Sequence, residues 1–249
     1  MSTEASIHPR AGNGTVSAED LGAWRAQTRV FLQPIAAPSI LGLFGFAGAT
    51  FMVAANMAGW FGNPTSGLYI FPFALTFGGV AQFLAGMWAY RARDGIATAM
   101  HGMWGAFWIG YGILWAFQAA GALKLPPAEF PEFGYWFIVL GTITLCGALA
   151  AAFENLGLFA VLSTLAAGSG LAAVFFLTGI EGWKTAAGWV LLVSSWLAVY
   201  TAFAMMLEGA ARKVILPLGH LSRRANMPGY REHIPLQFEY GEPGVRLGQ

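Results

Sequence analysis

The sequence predicts an all-α integral membrane protein with six transmembrane helices, short loops and both termini in the cytoplasm. Three observations carry this. Only 10% of the 249 residues are charged, against roughly 25% in an average soluble domain, while 57% are hydrophobic. The charges fall in short breaks between apolar stretches of about 20 residues, the length that crosses ~30 Å of hydrocarbon. The basic residues lie almost wholly on one side of those stretches. The net charge of +1 leaves no electrostatic footprint for nucleic acid. The single cysteine, Cys146, sits inside an apolar run, which excludes a disulfide framework within the chain and a zinc site of paired cysteines.

Residues 1–36 read as a cytoplasmic tail. Ser17 and Asp20 have the spacing of an acidic capping box, and Leu21, Trp24, Thr28 and Phe31 share one helical face. A short amphipathic helix on the membrane surface is expected there, ended by Pro34, with a frayed polar tail as the alternative. The six spans follow, from Ser39 to Trp60, Tyr69 to Tyr90, Ala97 to Gln118, Gly134 to Phe153, Leu156 to Ile180 and Thr185 to Leu207. The first begins too far from the N-terminus, after too polar a tail, to be a cleaved signal peptide. None contains Asp, Glu, Lys or Arg, and His101 is their one ionisable group of the usual functional kinds. No break is long enough for a second folded unit, so residues 37–219 form one six-span domain. Residues 220–249, rich in Arg, Pro and Gly, form a second cytoplasmic tail.

Orientation follows from the basic residues. The N-terminal tail carries Arg10, Arg25 and Arg29, the second break Arg91 and Arg93, and the C-terminal segment Arg212, Lys213, Arg223, Arg224, Arg231 and Arg246. Only Lys124 and Lys184 lie on the other side, with Glu129, Glu132 and Glu181. The positive-inside rule therefore places both termini in the cytoplasm, with the helices in the inner (plasma) membrane.

Several side chains within the spans are candidates for more than packing. His101, Trp104, Trp108, Tyr111 and Trp115 fall in one stripe of the third span, which is either a packing ridge, the more frequent case, or a pore wall. Gln82, beside Gly78 and Gly79, needs either an interhelical hydrogen bond or a solute path to face. The serines and threonines of the spans can satisfy themselves on carbonyls of their own helices. His101 reads first as an interfacial histidine, hydrogen-bonded and inert, and second as a proton site.

The spans hold no paired carboxylates, no HExxH and no Gly-x-Ser-x-Gly, and one histidine cannot hold a bis-histidine haem. No catalytic residue, cofactor or metal is expected. A solute path without a carboxylate leaves passive permeation, coupling through His101 or loop residues, or a proton carried by the substrate itself. A small carboxylic acid, with a pKa of about 4–5 like that of Glu, could serve in the last way.

Three segments resemble one family, the acetate uptake transporters, also called succinate-acetate permeases. Ala37-Pro38-Ser39-Ile40-Leu41-Gly42-Leu43-Phe44-Gly45-Phe46 is similar to that family's Asn-Pro-Ala-Pro-Leu-Gly-Leu signature at the start of span one. Gly78-Gly79-Val80-Ala81-Gln82-Phe83-Leu84-Ala85-Gly86-Met87-Trp88, with Trp104-Gly105-Ala106-Phe107-Trp108 in span three, is the most specific likeness. Val214-Ile215-Leu216-Pro217-Leu218-Gly219 resembles the segment that follows span six.

The resemblance implies a six-helix permease protomer, a homo-hexamer in the lipid, and a path through each protomer for acetate and related small monocarboxylates, with succinate as a possible further substrate. It places an apolar constriction at Phe46, Trp104 and Leu165. Gln82 and Thr50 are the candidate polar residues of the path, and His101 the candidate proton site. Ala37 and Ile40 depart from the signature's first Asn and second Pro, and Trp104 replaces a Tyr, giving a larger ring that only donates a hydrogen bond. Passage as an anion channel or a proton-linked symporter is left open. The alternatives are a channel for a small neutral solute, such as urea or a short amide, and a non-transporting membrane scaffold.

Overall fold

The computed structural model describes residues 35–124, 131–221 and 226–228. The proposed surface helix between Ser17 and Phe31, and most of the C-terminal tail, lie outside the described residues. The charge-free stretches form six long helices: α1 (Pro38–Met57), α2 (Ser66–Ala92), α3 (Gly95–Ala119), α4 (Pro131–Ala151), α5 (Leu156–Thr178) and α6 (Glu181–Ala211). All but α3 are long and apolar enough to cross a membrane. At 25 residues α3 has the length, and its Trp, Tyr and His residues lower its hydropathy. The described residues contain no strand, only an isolated bridge between Asn155 and His220.

The helix ends follow local chemistry. Asp94 caps α3 by accepting from the Ala97 N–H, and Asn155 caps α5 by accepting from the Leu158 N–H, both at 2.8 Å. Gly179, at φ 70°, ends α5 in the left-handed conformation that glycine adopts without strain. Within α2, Pro72 cannot supply an N–H, and the Thr76 hydroxyl donates back to the Pro72 carbonyl at 3.0 Å. The backbone then widens into a π-helical stretch, Ala74–Ala81, a departure that is frequent at functional sites. Gly78 lies in that stretch, and a Cβ there would sit 2.7 Å from the Trp108 ring of α3.

The helices form a closed ring in chain order. Each packs on the next, α6 returns to α1, and α1 also touches α3. Among the described residues no other pair of helices packs together, and α3 and α4 approach least closely of the neighbours. The return is tight because Gly188 of α6 lies against the last turn of α1, where a Cβ would meet the Ala54 carbonyl at 2.8 Å. After α6 the chain reverses at Arg212 and runs back across the end of the ring, burying Val214 and Leu218. This strap accepts from the free N–H groups of Leu156 and Gly157 on its Gly219 and Leu218 carbonyls, satisfying the start of α5. Tyr200 donates its hydroxyl to the Pro217 carbonyl at 2.7 Å and ties the strap to α6.

Candidate permeation pathway

The ring encloses a cavity of about 360 Å³. That is many times the ~30 Å³ share of one water in the liquid. Its walls are the aromatic stripe of α3 (Trp104, Trp108, Tyr111 and Trp115, with Phe107), Phe133 and Phe137 of α4, and Phe175 and Phe176 of α5. Thr50, Val53, Asn56 and Met57 of α1, Leu114 of α3, Leu165 of α5, and Lys184 and Leu191 of α6 complete them. Burial grades along the cavity: Trp104 and Leu165 are 3% and 2% exposed, while Asn56, Trp115 and Lys184 at the other end are half-buried. The cavity is therefore a vestibule, closed toward the strap and opening at the end where α1, α3 and α5 finish.

The rings lock one another. Phe107 makes edge or tilted contacts with Trp104, Trp108, Phe133 and Phe137, and Tyr111 stacks on Phe133. Side chains thus bridge the α3–α4 seam that the backbones leave wide. One polar bond does the same deeper down: the Trp104 Nε1–H donates to the Thr144 hydroxyl at 3.0 Å, and Thr144 donates to the Leu140 carbonyl at 2.7 Å.

Of the three constriction candidates, Trp104 and Leu165 form the closed end of the vestibule. Phe46, 2% exposed, lies one turn before Thr50 and belongs to the same buried cluster as both. Thr50 lines the vestibule with its hydroxyl unpartnered within the protein, and so does Trp108 with its indole N–H. Gln82 does not line the vestibule. It is buried where α2 meets Gly45 of α1, and its Oε1 has no partner.

One part of the first reading of His101 needs correcting, its hydrogen bonding. The ring is buried within the protein, its Nδ1 lacks a hydrogen-bond partner, and it packs flat against Gly42, where a Cβ would lie 2.5 Å from it. Gly42 is what makes room for an imidazole at this depth. The other residues behave as the sequence suggests: Thr142, Thr164, Ser195 and Thr201 donate to carbonyls of their own helices. Ser194 instead donates across to the Val161 carbonyl of α5 at 2.9 Å, and the hydroxyls of Thr50 and Ser169 have no partner.

Beyond the closed end, two carboxyls, Asp94 and Glu154, lie at the turns before α3 and α5, close enough to interact electrostatically. Burial raises Asp94 above its ordinary value. Glu154 is pushed up to about 7, first by burial and then by the Asp94 charge. The strap reaches this place, since the His220 ring nitrogen Nδ1 lies 3.3 Å from the Glu154 carbonyl and Asn226 clasps the His220 backbone through two bonds of 2.8 Å.

Comparison with known proteins gives this arrangement a lineage. The sequence profile of the GPR1/FUN34/yaaH family matches residues 23–223. The chain belongs to the GPR1/FUN34/yaaH family. Over 194 residues it is 27% identical to the succinate-acetate/proton symporter SatP of Escherichia coli strain K12, covering 74% of this chain and 96% of that protein. Over 202 residues it is 30% identical to the acetate transporter protein patA of Aspergillus clavatus, covering 77% and 81% of the two chains. A solved structure, that of the bacterial acetate channel SatP, matches with a TM-score of 0.69 at 24% identity and covers 75% of this chain and all of that one. That likeness establishes a shared fold; the described helices long and apolar enough to cross a membrane, with membership of the family, make this a multi-pass membrane protein.

As a GPR1/FUN34/yaaH family member the protein has walls that the sequence alone did not single out. Phe107, Phe133, Phe137 and Phe176 read as generic apolar residues, because an aromatic facing a cavity and one facing lipid look alike in sequence. Thr144 was assigned to its own helix, which is half of its role. Lys184 served only to orient the chain, and its position at the vestibule mouth needs the fold to be seen.

Proposed function

We propose that this GPR1/FUN34/yaaH protein carries acetate and related small monocarboxylates across the inner membrane, through a path inside each protomer. The proposal includes six membrane crossings, both termini in the cytoplasm, a permease domain over residues 37–219, and the vestibule opening to the outside. The observation that carries it is a vestibule with apolar walls, two unpartnered hydrogen-bond donors on Thr50 and Trp108, and an apolar closed end at Trp104 and Leu165. Donors without acceptors suit a ligand that brings oxygens, and the apolar walls suit a methyl or short alkyl group. Phe46, Trp104 and Leu165 form the constriction in this reading, a gate that disfavours water and a bare carboxylate together. Gln82 is the next polar group beyond it, and His101 has the depth of a proton site.

A hexamer is proposed with the path. The exposed Tyr69 and Phe73 of α2 and Tyr135 and Trp136 of α4 supply apolar outer faces for lipid and neighbouring copies to cover. The named relatives, an acetate transporter and a succinate-acetate symporter, support this substrate class.

The test is uptake of labelled acetate into vesicles containing the purified full-length protein. Saturable, protein-dependent acetate flux is expected. Robust urea flux without acetate flux would establish the neutral-solute channel instead, and flux of neither would establish a scaffold. Recording internal pH and membrane potential during uptake separates movement of the anion, the neutral acid and a proton-coupled anion.

A further inference from the structure

The vestibule has a charged group that neither the apolar gate nor the two donors account for. Lys184, in the first turn of α6, is the one charged side chain among the described residues that line the cavity. Its Nζ lies 3.0 Å from the Glu181 Oε2 and 5.6 Å from the centre of the Phe175 ring. The two partners differ in kind. Glu181 is 72% exposed and sits on the rim, whereas Lys184 is 32% exposed and reaches over the aromatic wall. The ring face holds the ammonium at the mouth by cation–π attraction, and Glu181 gives it an anion to rest on when the vestibule is empty. A solvated i,i+3 pair is a weak bond, readily exchanged for another carboxylate. Apolar walls behind the ammonium lower the local dielectric and lengthen the reach of its field.

We propose that Lys184 is the anion-capture residue of the vestibule: an incoming carboxylate exchanges with Glu181 for the ammonium at the mouth, and Glu181 sets the affinity of that step by competing for it. The inference rests on the proposed acetate permeation. It adds a residue outside the gate, selective for charge rather than size, with a built-in competitor three positions away. A mouth of this kind concentrates anions ahead of a constriction that itself disfavours them, so capture and filtration act at different depths on different properties of the substrate.

The experiment uses the full-length protein in vesicles and in detergent. Half-saturation for acetate is measured by uptake and by quenching of the vestibule tryptophans Trp104, Trp108 and Trp115. Lys184→Gln should raise half-saturation about three- to tenfold with little change in maximal flux, Lys184→Arg should restore it, and Glu181→Gln should lower it about two- to threefold. The wild-type value should also rise between 0.05 and 0.5 M of an impermeant salt, and Lys184→Gln should remove most of that dependence. Unchanged half-saturation in both Lys184→Gln and Glu181→Gln, in a protein that transports acetate, overturns the inference and leaves the proposed function standing. Absence of acetate flux and of acetate-dependent quenching in the wild type overturns the proposed function, and the inference with it.

Discussion

Trp104 and Thr144 are joined by a 3.0 Å hydrogen bond across the seam where the ring of helices is least closely packed. The indole has a donor and no acceptor, and Thr144 can receive it because its own proton is already committed to the Leu140 carbonyl. The bond fixes the tilt of the largest side chain at the closed end of the vestibule. Replacing Thr144 with Val keeps the shape and removes the acceptor, leaving a buried N–H unpaired. A loss of about 1–3 kcal/mol of stability is expected, read from unfolding of the solubilised protein. Thr144→Ser should retain most of the stability, since it keeps the hydroxyl.

Width at the constriction is a second handle. Phe46→Ala or Trp104→Ala should admit bulkier acids such as lactate or succinate, measured as the ratio of their uptake to that of acetate. An unchanged ratio in both variants would mark these residues as packing alone.

The contact between Gly42 and His101 sets up a two-residue test. Gly42→Ala puts a methyl into the imidazole and should cost about 1–3 kcal/mol through overpacking. His101→Ala removes the obstacle, so the double variant should regain most of that loss, a coupling that a thermal unfolding cycle measures directly. His101→Ala alone should leave acetate flux and its pH profile nearly unchanged. A flattened profile would instead identify His101 as the site that exchanges protons.

Glu154 makes stability depend on pH near neutrality. Its folded value of about 7 lies above the ordinary 4.5, so the native state holds the proton more tightly than the unfolded chain. The stabilisation is complete below about 4.5, declines as pH rises, and is gone above about 7. Glu154→Gln should therefore unfold at a higher temperature than the wild type at pH 8, with the gap closing toward pH 4.5. A constant gap across that range would show that Glu154 does not titrate there.

The positions of most helices were legible because each charge is costly in hydrocarbon and the charges fall in the breaks; the break between α1 and α2 has no charge, and the polar Gly62-Asn63-Pro64-Thr65 marks it instead. The gate candidates came through resemblance; Trp104 and Leu165 line one cavity, and Phe46 does not. What stayed hidden depends on three-dimensional neighbours. Nothing in the sequence says that Gly42 faces His101, that the hydroxyl of Thr144 serves two helices, or that Lys184 hangs over Phe175. The π-helical stretch of α2 had visible causes in Pro72, Gly78 and Gly79, but apolar periodicity cannot tell a widened turn from a regular one where all residues but Thr76 are apolar or glycine.

The order of the ring has a bearing on how the protein is made. Apart from the contact of α3 with α1, neighbours in space are neighbours in sequence until α6 closes on α1, so every packing but that last one can form while synthesis continues. Until α6 arrives, the face of α1 around Ala54 has lipid for company in place of Gly188. The last helix is in this sense a latch, and a bulkier residue at Gly188 would be felt during insertion and assembly before any solute reached the vestibule.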